Sequence, residues 1–222
     1  VSAAGSERVG RIGPNAILQL VAALREREGE GTAAAVLHRA GLTERLARPV
    51  GGLVPVAEVR ALHTALQEVV DPATARSLAA EAGRRTAAYL LGHRIPGLFR
   101  RLLARLPTRL RQPLLLAAIA RHAWTFTGGG RFAVLRGSPP RLSIEPCPLC
   151  PASGRQGLGC VYYAATFEAL LRDLVDPRSR VEPAVSRRPP KPRRAGRLRG
   201  GRLAPLRAPD RAVQRLIAAS SG

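Results

Sequence analysis

The chain has 222 residues, 45% of them apolar, which is enough to bury a core in one domain with an appendage or in two small domains. No apolar run approaches the roughly 20 residues of a membrane-spanning helix, and the first residues lack a basic region followed by an apolar stretch, so the expectation is a soluble, cytoplasmic protein. The formal charge of +21 invites nucleic acid as a partner, but 35 of the 36 basic residues are arginine, a bias that GC-rich coding produces unaided, and 4% aromatic residues offer little for base stacking.

In chain order, Ile17, Leu20, Val21 and Leu24 recur at i, i+3, i+4 and i+7 after Gly13-Pro14, the pattern of an amphipathic helix with proline near its first turn. A second short helix is expected at about 32–40, stopped by Gly41, and the Pro/Gly-rich stretch 43–55 reads as a loop. Val59, Leu62, Leu66 and Val69 mark a third helix. Asp71-Pro72 supplies a cap and a first-turn proline for a fourth, running to about Leu91. Leu98, Phe99, Leu102 and Leu103 suggest a short helix, and Pro113 is expected to open another that ends near His122. Beyond it Trp124 and Phe126 alternate with threonines, Gly128-Gly129-Gly130 reads as a turn, and Phe132 and Val134 continue the alternation. That predicts a β-hairpin, with Leu142 and Ile144 in a third strand and a helix over Val161–Val175 lying on the sheet.

From about Pro183 the sequence is Pro, Arg, Ala and Gly, with eleven basic residues and one acid, Asp210, so a disordered basic tail is expected. The tail is either a genuine extension or an out-of-frame reading of GC-rich DNA. The body is helices first and a small antiparallel sheet later, an α+β pattern. The expected organisation is a mainly helical region at 8–120, forming one body with a sheet-and-helix region at 121–182, and then the tail at 183–222.

Chemistry concentrates in three places. His122, Trp124 and Phe126, at alternate positions of the expected strand, would share one face; an imidazole beside two aromatic faces could hold a flat ring with a central metal, and the same aromatics could equally be core. Around the fourth helix, Arg85, Tyr89 and His93 lie on neighbouring turns, and Arg84, Arg85 and Arg94 either pair with ligand carboxylates or form a solvated face. Cys147, Cys150 and Cys160 have the look of three zinc ligands without a fourth, or of reduced thiols. No G-x-G-x-x-G opens a helix, and P-loop, H-E-x-x-H and G-x-S-x-G motifs are absent, so no cofactor site is evident for hydride transfer.

Four segments in order, GRIGPNAILQLVAAL, EAGRRTAAYLLGHRIP, AIARHAWTFTGGGRF and CVYYAATFEALLRDLVDPR, resemble the bacteriochlorophyll 4-vinyl reductase family of BchJ-type proteins over about residues 8–182. The resemblance implies a role in converting the 8-vinyl group (4-vinyl in the older nomenclature) of a divinyl tetrapyrrole precursor to ethyl. It also implies a C-terminal 4-vinyl reductase domain that binds a small molecule. Relatives of that domain carry a zinc-like set, and Cys160 and Glu182 match its first two places, while the third and fourth fall on Val185 and about Arg193. Zinc is thus a candidate only at an incomplete site. The ligand implied is a tetrapyrrole, the partners implied are other bacteriochlorophyll-synthesis enzymes, and a homodimer is allowed. Two activities stay open: a protein that holds the pigment precursor for reduction, and the vinyl reductase itself. An Arg-rich nucleic-acid-binding protein is a third reading that explains the tail and nothing in the body. A pigment pocket is expected between the helical half and the sheet, lined by Leu98, Phe99, Leu102, Trp124, Phe126, Tyr162 and Tyr163.

Overall fold

A computed structural model of the chain describes residues 10–46, 51–150 and 157–184, all within one compact unit. The tail expected after residue 183 lies, from residue 185 onward, outside the described residues. In order, the elements are β1 (Arg11–Ile12), α1 (Asn15–Arg39), a 3-10 turn (Thr43–Leu46), β2 (Val54–Pro55), α2 (Val56–Val69), α3 (Pro72–His93) and α4 (Gly97–Arg105). They continue with α5 (Thr108–Arg121), a single turn α6 (Trp124–Thr127), β3 (Arg131–Leu135), β4 (Arg141–Glu145) and α7 (Leu158–Leu174). The class is α+β, as the order of patterns predicts: helices with small antiparallel sheets.

The first two expected helices run together as α1, broken at Gly29, whose φ of 84° falls where a Cβ would collide with the backbone. The apolar stripe of α1 buries Ile17, Leu20 and Leu24 before the break and Val36 and Leu37 after it. They meet Val59, Leu62 and Leu66 of α2 and Leu78 of α3 in the main core, where each fully buried leucine contributes roughly 1.5–3 kcal/mol. Asp71 caps α3 as expected, its side chain accepting from the backbone N–H of Ala73 (2.9 Å) and Thr74 (3.0 Å). Part of the stretch expected to be loop instead pairs: Ile12 lies opposite Val54 and Arg11 opposite Pro55, a two-residue ladder too short to leave a periodic signal.

Two expectations are corrected. Helix α5 starts at Thr108, after Pro107, and Pro113 sits inside it. The carbonyl of Pro107 accepts from Leu110 (2.8 Å) and Arg111 (3.3 Å), so the earlier proline serves as the helix start. The alternating segment at 122–127 is a helical turn and not a strand, because its backbone bonds locally: Phe126 N–H to Ala123 O at 3.0 Å and Thr127 N–H to Ala123 O at 2.9 Å. The hairpin is therefore β3 with β4 alone, pairing Phe132 with Ile144 and Val134 with Leu142.

Helix α7 packs chiefly on α3, and the sheet reaches it through ring contacts such as Phe132 with Phe167. The crossing of α3 and α7 is close because Gly83 stands there. A Cβ on Gly83 would lie 2.4 Å from the Tyr162 carbonyl oxygen and 2.9 Å from Ala165 Cβ. At the crossing the Thr166 hydroxyl donates to the Tyr162 carbonyl at 2.8 Å, with the Gly83 carbonyl 3.1 Å away. A second, smaller cluster forms beyond it, where Leu103 of α4 and Leu115 of α5 meet Leu171, Leu174 and Val175. No helix among the described residues is long and apolar enough to cross a membrane.

Candidate functional site

The crossing leaves a groove on one side of α3 and α7, with a volume of about 570 Å3, within the range of small-molecule sites. Its floor is made of small side chains: Ala80 from α3 and Ala164, Ala165 and Ala169 from α7. Helix periodicity puts residues 161, 165, 168, 169 and 172 of α7 along one stripe, so alanine methyls and the charged side chains of Glu168 and Arg172 share the groove wall. Arg84 and Arg172 stand at the rim with Glu168 and Asp173, and Pro177, Val181 and Pro183 of the following segment close one edge. That edge is tied down by the Val181 N–H, which donates to the Glu168 carboxylate at 2.9 Å. Arg84 pairs with Glu81 at 2.7 Å, and Arg172 lies 3.8 Å from Glu168; both arginine side chains keep about half of their surface in solvent. The alanines offer apolar contact, and Arg84 and Arg172, each already facing a glutamate, add planar cations beside them.

The expected site residues fall in several places and do not line one cavity. Tyr162 and Tyr163 are core residues. The Tyr162 hydroxyl bonds the Thr86 hydroxyl at 2.8 Å and Tyr163 donates to the Phe126 carbonyl at 2.7 Å; burial raises the pKa of both phenols, that of Tyr162 only partly offset by Thr86. Phe126 packs edge-on to Phe132 and Phe167 and near Tyr163, an aromatic cluster that fills the space where helices and sheet meet. Arg85 is occupied by Glu26 and Glu81, bonding Glu26 Oε1 at 2.7 Å and Glu81 Oε1 at 2.9 Å, which ties α1 to α3. Tyr89 and His93 stack on each other with centroids 4.6 Å apart at the exposed end of α3. Phe99 joins the smaller cluster. Trp124 is 63% exposed and His122 is exposed beside it, while Leu98 and Leu102 face solvent. Because residues 122–127 are helical, His122, Trp124 and Phe126 share no strand face.

The three cysteines do come together. Cys160 lies in the first turn of α7 and its Sγ is 3.0 Å from that of Cys150, with Cys147 in hydrogen-bonding reach of both. Hydrogen bonds from Cys147 and Cys150 hold the Cys160 thiol well below the ordinary range, and the same contacts together with burial push Cys150 up. Two sulfurs bound to one tetrahedral zinc at about 2.3 Å would stand roughly 3.8 Å apart, so the 3.0 Å between Cys150 and Cys160 is not the spacing of such a pair. Among the described residues no group of three His, Cys, Asp or Glu is arranged to hold a metal ion. Glu182 is exposed, and the other two places of the zinc-like set lie outside the described residues.

One feature escapes a reading of the sequence. The alanine floor leaves a trace in AAEAG and YAAT, where small residues at helical spacing signal close helix approach, but alanine carries no chemistry that draws attention. His63, which its helical segment without a nearby carboxylate or cysteine marks as structural, is fully buried in α2 with neither ring nitrogen hydrogen-bonded, in a T-shaped contact with Tyr162 at 6.1 Å between centroids. Burial pushes its pKa down to about 4.

Comparison with known proteins yields two clear relatives. The bacteriochlorophyll synthase 23 kDa chain of Cereibacter sphaeroides is 40% identical over 167 residues, covering 75% of this chain and 80% of the relative. The protein of the same name from Rhodobacter capsulatus is 39% identical over 172 residues, covering 78% and 79%. No protein-family model matches the chain, and no solved structure does. With two such relatives matched over most of their length, the chain belongs to the family of the bacteriochlorophyll synthase 23 kDa chain.

Proposed function

We propose that this chain acts in bacteriochlorophyll biosynthesis as a cytoplasmic protein that holds a vinyl-bearing tetrapyrrole precursor in the α3–α7 groove and presents it for 8-vinyl reduction. The observation that carries the reading is a groove lined by Ala80, Ala164, Ala165 and Ala169 together with Arg84 and Arg172. A macrocycle is flat and apolar with propionate at its edge, so the alanines supply contact area and the arginines supply orientation. The name of the relatives supports the pathway, and the resemblance to vinyl reductases supports the step. The chain contributes binding and orientation, and the reducing equivalents come from a separate donor.

Titration of the full chain with divinyl protochlorophyllide tests this. Saturable, red-shifted absorbance with no monovinyl product on adding NADPH is the expected result. Conversion to the monovinyl pigment would make the chain the reductase itself. Absence of any spectral change across the titration would overturn the pigment assignment.

A further inference from the structure

The longest stretch of one-signed charge in the body is independent of the groove. Between Glu81 and Glu145 the chain has no acidic residue in 63 positions, and it has twelve arginines there. Only Arg84, Arg85 and Arg100 form ion pairs among the described residues. The remaining nine have no ion pair among the described residues, and Arg101, Arg105 and Arg109 belong to the two helices at the centre of the stretch.

Those helices also expose leucine. On α4, Phe99 and Leu103 face the smaller cluster, while Leu98 is 58% and Leu102 45% exposed; on α5, Leu110 is 49% exposed. At 100° per residue, Leu98, Leu102, Arg101 and Arg105 occupy one arc of α4 turned away from Phe99 and Leu103. Leucines that could have been polar at no structural loss therefore stand beside arginines whose aliphatic stems can lie along an apolar surface while their heads remain in a polar layer. The groove described above is lined by other residues.

We propose that α4 and the start of α5 form a docking surface for an anionic lipid bilayer, with Leu98, Leu102 and Leu110 entering the interface and Arg101, Arg105 and Arg109 meeting the lipid phosphates. An amphipathic segment of this kind lies in the interface plane, bound by apolar insertion together with attraction to anionic headgroups. The chemistry selects a lipid surface over an acidic protein because apolar and cationic groups are interleaved along one arc of α4, with no carboxylate from this stretch to steer a protein partner into register.

Flotation of the full chain with vesicles tests it. Phosphatidylcholine vesicles containing phosphatidylglycerol should carry the protein, and pure phosphatidylcholine vesicles should carry little. The triple variant Leu98→Ser, Leu102→Ser, Leu110→Ser keeps every charge, including the basic residues beyond 182, and should bind anionic vesicles on the order of tenfold more weakly. Circular dichroism and thermal melting check that the variant is folded; if it is not, Leu98→Ser alone, at the most exposed of the three positions, serves with the same direction expected. Equal flotation of a folded variant and the parent would overturn the proposal. So would failure of the parent to float on anionic vesicles, and salt-sensitive binding of duplex DNA in place of flotation would assign the surface to nucleic acid instead.

Discussion

The α3–α7 crossing and the α4–α5 pair are built from opposite materials. At the crossing, side chains are small or hydrogen-bonded: Gly83 admits a backbone carbonyl, Thr86 and Tyr162 satisfy each other, and alanines pave the adjoining groove. On α4 and α5, one face is anchored through Phe99, Leu103 and Leu115, and the other offers leucine and arginine to solvent. The difference teaches that close approach, and not bulk, defines the ligand-sized space in this fold. Large apolar groups either fill the core or stand outside it.

The sharpest way to break the crossing is Gly83→Ala, which should cost about 3 kcal/mol in urea unfolding, because the new methyl meets backbone and helix atoms that cannot yield. In the same helix a methyl group added at Gly92 would meet nothing within 4 Å, and Gly92→Ala should stabilise by up to about 1 kcal/mol through helix propensity alone. Opposite signs at two glycines of one helix would confirm that the crossing, and not the helix, is the constrained feature. Destabilisation of equal size at both would refute it.

Next in size is the buried imidazole. His63 is neutral in the folded chain, with a pKa of about 4, while in the unfolded chain it protonates near 6.5. Protons therefore favour the unfolded state between these values: stability is fully present above pH 6.5 and falls by about 3 kcal/mol as pH drops toward 4, levelling below that. His63→Leu should remove this part of the acid dependence without a comparable loss at pH 8, since it also deletes two unbonded nitrogens. A pH profile unchanged by the substitution would show that other groups set it.

Smaller again is the Thr86–Tyr162 bond. Thr86→Val and Tyr162→Phe should each cost about 1–3 kcal/mol by leaving a buried hydroxyl unpaired, and the double variant should cost less than the sum. Strict additivity would mean that the two hydroxyls act separately. At the far end of the scale, Leu98→Ser should change stability by no more than about 0.5 kcal/mol, since the side chain is mostly in solvent.

How much of this is legible in the sequence follows from the same contrast. Helices α2, α3, α4 and α7 announce themselves through apolar periodicity, and Asp71-Pro72 marks a real cap, because these signals are local. The segment at 122–127 misleads because alternation over four residues is shared by a strand and a helical turn, and only its local hydrogen bonds decide. Chemistry nominates the aromatic residues for a pigment pocket, yet Phe126, Tyr162 and Tyr163 pack together as core and Trp124 stands in solvent. The cysteine cluster is legible: Cys147, Cys150 and Cys160 read together as three thiols able to share one centre, and the fold does bring them together. The groove is not legible, since its floor depends on two helices distant in sequence meeting at Gly83.

Alkylation provides a modest further check on the thiols. Iodoacetamide at pH 7 should label Cys160 faster than Cys150, whose thiol is held protonated; the reverse order, read by mass spectrometry, would contradict the hydrogen-bond assignment.

The most direct test of the central claim is the affinity of Ala169→Phe for divinyl protochlorophyllide, measured by absorbance beside the parent chain. Residue 169 is half-buried on the groove floor, and a phenyl ring there occupies the space where the macrocycle is placed. Occupancy of the groove by pigment predicts at least a roughly tenfold loss of affinity with melting temperature nearly unchanged, and a similar trend for Arg172→Ala. Parent-like binding by a folded Ala169→Phe protein would contradict it and place the pigment elsewhere on the chain.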